Sequence, residues 1–407
     1  VERAVQIMLA SNKTSLAKYV KMEQLADGAN VLTELIQYHA AHTGRWGGRG
    51  VQPQNLPRPA FKSVDTILWA IDNCTFDGFK VLYDGVFTEA LSSALRSMIV
   101  ARPGKTLHVG DYKQIEARVT AWLAGQEWKL QMFRDGVDTY CAAAVPIVGY
   151  AVTPDMKDIR QVGKCSELGL GFGGGIDAFV NTSKQYGVDL STIGQRILAS
   201  ATAPELDTAK YCYDFYTRMN VEETVDVSIG MACDVIKQRW RKANSEVVNY
   251  WSALELAACQ AIESPGQRFP AGKVVWFMNG AFLTCELPSG NFITYLKPLL
   301  HEDYRGNLYF SFEPSDPKIF RKYSYGGFIF QNVVQAVAFD VIAAALVRLE
   351  DAGFTPVLTV HDEAVTEDAD DSEFTAARLK SIMEEPLPWY DGLPVEVEET
   401  SSKRYLK

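Results

Sequence analysis

The octapeptide LTVHDEAV, residues 358–365, sets His361 and two adjacent carboxylates, Asp362 and Glu363, directly after a run of alternating strand formers. Charges commonly end strands because water solvates them there, so the octapeptide acquires chemical meaning only with a second carboxylate elsewhere. Asp111 supplies one, near the end of the alternating run KTLHVGDY at 105–112. If the two runs are neighbours in one sheet, Asp111 and Asp362 converge. Carboxylates at one point repel and raise each other's pKa unless cations bridge them. Mg²⁺ takes such hard oxygen ligands together with phosphate oxygens, and a pair of ions stabilises both the attacking and the leaving oxygen of an in-line phosphoryl displacement.

A second group of residues would hold the substrate. Within TPDMKDIRQVGKCSELGLGFGGG, Arg160, Lys164 and Leu168 recur every four residues. On a helix they form one stripe about 12 Å long, which suits a triphosphate at the cationic end and a sugar or base at the apolar end. A solvated basic face is the competing reading of the pair alone. Glycines at 169, 171, 173, 174 and 175 follow and let another backbone or a base pair approach closely. GLGFGG formally matches GxGxxG, but it ends a helix instead of joining a strand to one, and no GK[ST] is present, so a dinucleotide fold and a P-loop are excluded.

The elements that must position these groups follow from periodicity. After the 105–112 strand, Ile115, Val119, Trp122 and Leu123 share a helix face, with Gly125 at the stop. Residues 126–260 read as mostly helical, and 265–325 as strands and hairpins with a turn at Pro288, Ser289 and Gly290. A long helix is expected over 331–353, a further helix near 371–384 and a last strand over 393–399. Upstream, helices are expected over 4–10 and 14–26, and the Gly/Pro/Arg-rich stretch 40–59 has neither helical nor strand period. Strands flanking a helix-rich middle imply one sheet-based domain interrupted by an insertion.

The 407 residues, 47% hydrophobic and 22% charged, fit a soluble globular protein of two or three domains. A net charge of −10 argues against a uniformly basic surface that coats nucleic acid, while leaving local basic patches open. The seven cysteines form no CxxC pair, so neither a disulfide framework nor a zinc site is indicated and a reducing cytoplasm is expected. No apolar run is expected to reach membrane-spanning length, and no signal peptide is read at the start. The Trp240 and Trp251 clusters are expected in the core.

Taken in order, GDYKQIEARVTAWLAG, RQVGKCSELGLGFGGG and TVHDE resemble the three polymerase motifs of family A DNA polymerases, the class of bacterial DNA polymerase I and many phage replicases. HTGRWGGRGVQPQNLPRP resembles the segment preceding the first motif, and YGGFIFQNVVQAVAFDVI the helix before the last. The resemblance spans about 11–407 and is nearest to the phage branch. It implies template-directed transfer of deoxynucleotides to a primer 3′-hydroxyl. Asp111 and Asp362, with the Tyr112 carbonyl, would bind two Mg²⁺ ions, for which Mn²⁺ can substitute. Arg160 and Lys164 would hold the triphosphate, Lys164 also protonating the departing pyrophosphate. Glu116 would exclude ribonucleotides, Phe172 and Gly173 would flank the nascent base pair, and Gln114, Tyr140 and Leu168 would complete the nucleotide contacts. Arg45, Gln54, Asn55, Gln331 and Gln335 would track primer and template, while His361 and Glu363 would tune the primer terminus and metal.

The implied fold is α+β, a right-hand architecture of palm, fingers and thumb whose antiparallel palm sheet carries the metal site beside helical fingers. Its segments would be a partial thumb at 1–40, palm at 41–118, fingers with a strand-containing insertion at 119–328, and palm again at 329–407. No exonuclease domain is expected in this chain, and SSKRYLK reads as a natural C-terminus. Primer–template DNA and deoxynucleoside triphosphates are the implied partners. A separate exonuclease or thumb chain or a processivity factor is a further one, with no membrane, in the cytoplasm of a phage-infected bacterium. Some positions depart from the family. Leu168 stands where many members carry Phe or Tyr, and Phe172 stands where Tyr is common, so no hydroxyl holds Glu116 and the sugar gate is expected to work by packing. Tyr140 replaces a histidine, Gln331 replaces Asn, and YGGFIF lacks a lysine frequent in phage relatives. The competing functions are a non-catalytic DNA-binding subunit derived from a polymerase and a single-subunit RNA polymerase, against which Glu116 speaks.

Overall fold

The computed structural model describes residues 16–61, 63–219, 225–316, 318–371 and 373–406. The helix expected over 4–10 and the first residues of the next lie outside them; the described part of the latter is the helix Ala17–Leu25. The fold mixes helices with antiparallel sheets and divides into two compact units. The first comprises Val1–Lys113, Ala338–Leu387 and Val395–Lys407; the second comprises Gln114–Val337 and Pro388–Pro394.

The first unit is built on a four-stranded antiparallel sheet in the order Pro356–Val360, Glu363–Ala369, Lys105–Tyr112, Val397–Ser402. Alternation along KTLHVGDY separates two faces. Leu107 and Val109 join Leu358, Val360, Val365 and Tyr405 in a buried cluster. On the other face, a Cβ at Gly110 would lie 2.4 Å from the Met383 sulfur and 2.5 Å from Leu379, so the helix Ala376–Met383 sits directly on the strand. A second core, from Tyr19, Met22, Val51, Leu56, Ile67, Phe79 and Leu91 among others, gathers the helices that precede the sheet.

In the second unit the helix Ile115–Ala124 ends at Gly125 in the left-handed region, as its sequence requires. Helices then run from Glu127 to Glu263 among the described residues, followed by a six-stranded antiparallel meander from Arg268 to Tyr323. Trp240 and Trp251 are buried and stack on each other, and none of the seven cysteines is in a disulfide.

Several boundaries shift from the sequence expectation. The helix near 371–384 begins at Ala376, because the Asp371 side chain binds the backbone N–H groups of Glu373 and Phe374 in a turn and Thr375 caps the helix through the Arg378 N–H. The last strand runs Val397–Ser402, since its register follows its partner from Tyr112 to Leu107. Arg268–Ala271 is the edge strand of the meander, within the stretch expected as strands, and within 40–59 Gly47–Gly48 pairs with Ile36–Gln37. The long helix starts at Gly326, five residues early, because glycine there packs against the Trp251 carbonyl, where a Cβ would lie 2.6 Å from its oxygen. This helix bears on the expectation that no apolar run reaches membrane-spanning length. One 18-residue window within Gly326–Asp351 is apolar enough to cross a bilayer by length and composition, yet 72% of that window is buried, as in a core helix.

Candidate active site

Asp111 and Glu363 are direct antiparallel partners, and Asp362 occupies the turn between Val360 and Glu363. The Tyr112 N–H donates to the Asp362 carbonyl at 3.3 Å. Opposed residues in such a pair lie about 4.5–5.5 Å apart, so strand register alone brings the carboxylate-bearing residues together. His361 takes the left-handed region with φ 57°. Its Nε2 donates to the Gln54 carbonyl at 3.2 Å, joining the turn to the short helical turn Pro53–Asn55. Asp111, Asp362, Glu363, His361, Gln54 and Arg96 line a cavity of about 220 Å³. Arg45 and Asn55 lie outside that lining; the Asn55 side chain donates to Gln52 at 3.0 Å.

Glu363 is buried and accepts a hydrogen bond from the Tyr405 hydroxyl. Burial first, and the Glu363 charge next, push the Tyr405 phenol well above its ordinary range, so it stays a donor. Arg96 donates to that same hydroxyl at 3.1 Å and to the Leu56 and Pro57 carbonyls at 3.0 and 3.2 Å. Neither Arg96 nor Tyr405 carried a sequence signal, since only tertiary contact joins them to the turn.

Among the described residues, no group of three or more His, Cys, Asp or Glu side chains is placed to hold a metal ion. The donor set at this turn is two hard aspartate carboxylates in a polar cavity, with His361 engaged by a backbone carbonyl. Those donors fit Mg²⁺, which keeps several waters and takes one or two carboxylates plus phosphate oxygens, and do not fit a closed zinc site.

In the second unit the helix Lys157–Leu170 turns its stripe outward because its other face is fixed. A Cβ at Gly163 would lie 2.0 Å from the Tyr140 carbonyl oxygen, so glycine lets the helix Thr139–Val148 pack against it. Glu167 is held by the Lys129 ammonium and by the Trp240 indole N–H at 3.0 Å. On the open face, the Arg160 Nε donates to Asp138 at 2.7 Å, and its guanidinium lies 5.1 Å from the Tyr140 ring centre. Lys164 sits 4.1 Å from the Tyr186 ring and 5.9 Å from that of Tyr140. Burial pushes the Asp138 carboxyl up, but Arg160 and the N–H groups of Cys141 and Tyr140 outweigh it and hold the group below its ordinary value. A cavity of about 1100 Å³, lined by Asp138, Lys157, Arg160 and Tyr186 among others, opens at this cationic end. Asp138 had a sequence signal as the helix cap of DTYCAAA; Tyr186 had none.

Farther along, Leu168 is 48% exposed. Phe172 packs against Phe330, and Gly173 takes φ 83°. Gly327 approaches this turn so closely that a Cβ would lie 2.3 Å from the Phe172 carbonyl oxygen. Glu116 is half-buried in the first turn of its helix, and the Gln114 side chain accepts from the Thr139 hydroxyl at 3.0 Å. Gln331 and Gln335 lie one turn apart, half-buried, on the helix Gly326–Asp351. The proposed site residues therefore fall into two groups: Arg45, Gln54, Asn55, Asp111, Tyr112, His361, Asp362 and Glu363 belong to the first unit, and Gln114, Glu116, Tyr140, Arg160, Lys164, Leu168, Phe172, Gly173, Gln331 and Gln335 to the second.

The solved polymerase domain of Pol1 from M. smegmatis, in complex with DNA primer-template and dNTP, shares the fold. It has a TM-score of 0.54 and 14% identity over 96% of this chain and 51% of that one. No family model matches the chain. The DNA polymerase of Bacillus phage SP02 is 33% identical over 414 residues, covering 100% of this chain and 57% of that protein. DNA polymerase I of Chloroflexus aurantiacus is 33% identical over 103 residues, 25% of this chain and 11% of its own length. The DNA polymerase of Mycobacterium phage D29 is 26% identical over 190 residues, 46% of this chain and 30% of its own length. The chain is thus similar to a phage DNA polymerase and to DNA polymerase I, and it spans a little over half the length of the SP02 relative.

Proposed function

We propose that this chain carries out template-directed DNA synthesis, adding deoxynucleotides to a primer 3′-hydroxyl with release of pyrophosphate, in phage DNA replication. The observation that carries the proposal is the strand pairing of Asp111 with Glu363, which sets Asp362 at the adjoining turn in the same cavity. The first unit would supply the palm and the second the fingers of a right-hand architecture. Asp111, Asp362 and the Tyr112 carbonyl would hold two Mg²⁺ ions, which when bound neutralise charge on the primer hydroxyl and the triphosphate oxygens. Arg160 and Lys164 neutralise and orient the triphosphate, and Lys164 donates the proton that the leaving pyrophosphate takes. Phosphoryl transfer requires such positioning and charge more than covalent help. Tyr140 and Tyr186 form the aromatic shelf under both cations. Glu116 crowds the ribose 2′ position, Gln114 and Leu168 complete the nucleotide contacts, and Phe172 and Gly173 flank the base pair. Arg45, Gln54, Asn55, Gln331 and Gln335 grip minor-groove acceptors common to every Watson–Crick pair, so they sense pairing without reading sequence. His361 and Glu363 stand at the primer terminus.

The test is primer extension on a primed DNA template with Mg²⁺ and four deoxynucleotides, beside Asp111→Ala and Asp362→Ala. Extension by the parent alone supports the proposal. Template binding by a folded parent that never extends defeats it in favour of a DNA-binding subunit.

A further inference from the structure

We propose that Arg241 is a positioning residue for the turn 171–175, and that through this turn it sets how strictly Phe172 and Gly173 discriminate matched from mismatched nucleotides. The inference rests on the nucleotide site proposed above. The turn joins the helix Lys157–Leu170 to the helix Ile176–Gln185, within the second unit. Four of its five residues are glycine, with Gly173 in the left-handed region at φ 83°. Glycine restricts its own backbone less than any other residue, so contacts from outside must fix the course of this turn. Gly327 and Tyr325 supply one set: a Cβ at Gly327 would lie 2.3 Å from the Phe172 carbonyl oxygen, and a Cβ at Gly173 would lie 3.1 Å from the Tyr325 ring.

The helix Val227–Ala243 supplies the other. From its last turn, the Arg241 Nη2 donates to both the Gly173 and the Gly174 carbonyls, at 3.4 Å each. The preceding residue, Trp240, donates its indole N–H to Glu167 at 3.0 Å. Consecutive side chains of one helix thus hold the last turn of the nucleotide helix and the glycine turn that follows it. Arg241 is itself set by Trp251, whose ring centre lies 5.7 Å from the guanidinium and whose indole stacks on Trp240. This latch contributes position more than stability. Bonds of 3.4 Å are long and weak. The Arg241 Nε is buried with no acceptor among the described residues, so part of the cost of burying the charge is left unmet. Replacing such a charge by an apolar side chain of similar length costs little stability, while the glycine turn loses its two hydrogen bonds.

The experiment compares the whole chain with Arg241→Met and Arg241→Lys, by hydrogen exchange read in a mass spectrometer and by single-nucleotide primer extension. Arg241→Met is expected to exchange at least about threefold faster in peptides covering the glycine turn, with the helix Val227–Ala243 and the melting temperature unchanged. Its kcat/KM for a mismatched nucleotide relative to a matched one is expected to rise about tenfold, with the matched kcat within about twofold of the parent. Arg241→Lys keeps the charge near Trp251, but its shorter stem does not reach carbonyls already at the limit of the arginine. It is therefore expected to follow Arg241→Met in both readouts, and it carries the same test where Arg241→Met fails to fold. Parental exchange at the turn in either folded variant overturns the latch, whether or not the chain polymerises. Faster exchange with parental discrimination overturns the role in nucleotide choice and leaves the polymerase proposal standing. A folded parent that never extends a primer overturns that proposal, and the role in nucleotide choice with it.

Discussion

Arg160 is a cation already committed to a geometry: Asp138 holds its Nε edge, and Tyr140 offers the ring face. Because Asp138 also caps the helix Thr139–Val148, Asp138→Asn separates the two roles, asparagine being as good a cap but no ion partner. In steady-state extension assays Asp138→Asn is expected to raise the deoxynucleotide KM about three- to tenfold, with only a small change in melting temperature. An unchanged KM would show that Arg160 finds the triphosphate without help. Phe172 lies against Phe330 with no hydroxyl to offer Glu116. Phe172→Tyr is expected to raise discrimination against ribonucleotides if packing alone now holds the sugar gate; an identical incorporation ratio defeats that view. Arg160 and Lys164 were legible from spacing, whereas Tyr186 was not, because a residue just past the end of another helix acquires its neighbour only by folding.

At the scale of elements, glycine sets the distance between the nucleotide helix and the helix Gly326–Asp351. Gly327→Ala would drive a Cβ to 2.3 Å from a backbone oxygen that no rotamer can move. It is expected to cost about 1–3 kcal/mol in chemical unfolding, more than a helix-favouring substitution elsewhere would suggest. The helix Ala203–Met219 offers a pH test. The Arg239 side chain, over the opposing effect of burial and with added help from Thr202, lowers the Glu205 carboxyl from 4.5 to about 2. A depressed carboxylate stabilises the fold above its unfolded pKa, and that contribution is lost as pH falls from about 4.5 towards about 2. Urea unfolding at about pH 6 and about pH 3 should therefore show a smaller loss for Glu205→Gln than for the parent; equal losses would show that the pair is solvated. Helix and strand identities were readable from periodicity. The ends that moved, at Gly326, Ala376 and Val397, are those decided by a packing partner, a turn or a strand register.

At the scale of the whole molecule, a net charge of −10 opposes DNA while Arg and Lys groups attract it locally. Primer–template affinity is expected to fall about ten- to hundredfold between about 50 and 200 mM KCl, the release of roughly two to four counterions. A flat salt dependence, measured by fluorescence anisotropy, would mean that the cations stay paired within the protein. The sequence by itself determined which residue types stand at each motif, their order, and the alternation that made strands of 105–112 and of the run before His361, because periodicity and motif spacing are local properties. Only tertiary structure decided that Asp111 faces Glu363 and that Tyr405 and Arg96 reach the same turn. It also decided that Asp138 and Tyr186 claim the two cations. Those contacts join residues far apart in the chain, and strand register and helix packing, which no local pattern encodes, select them.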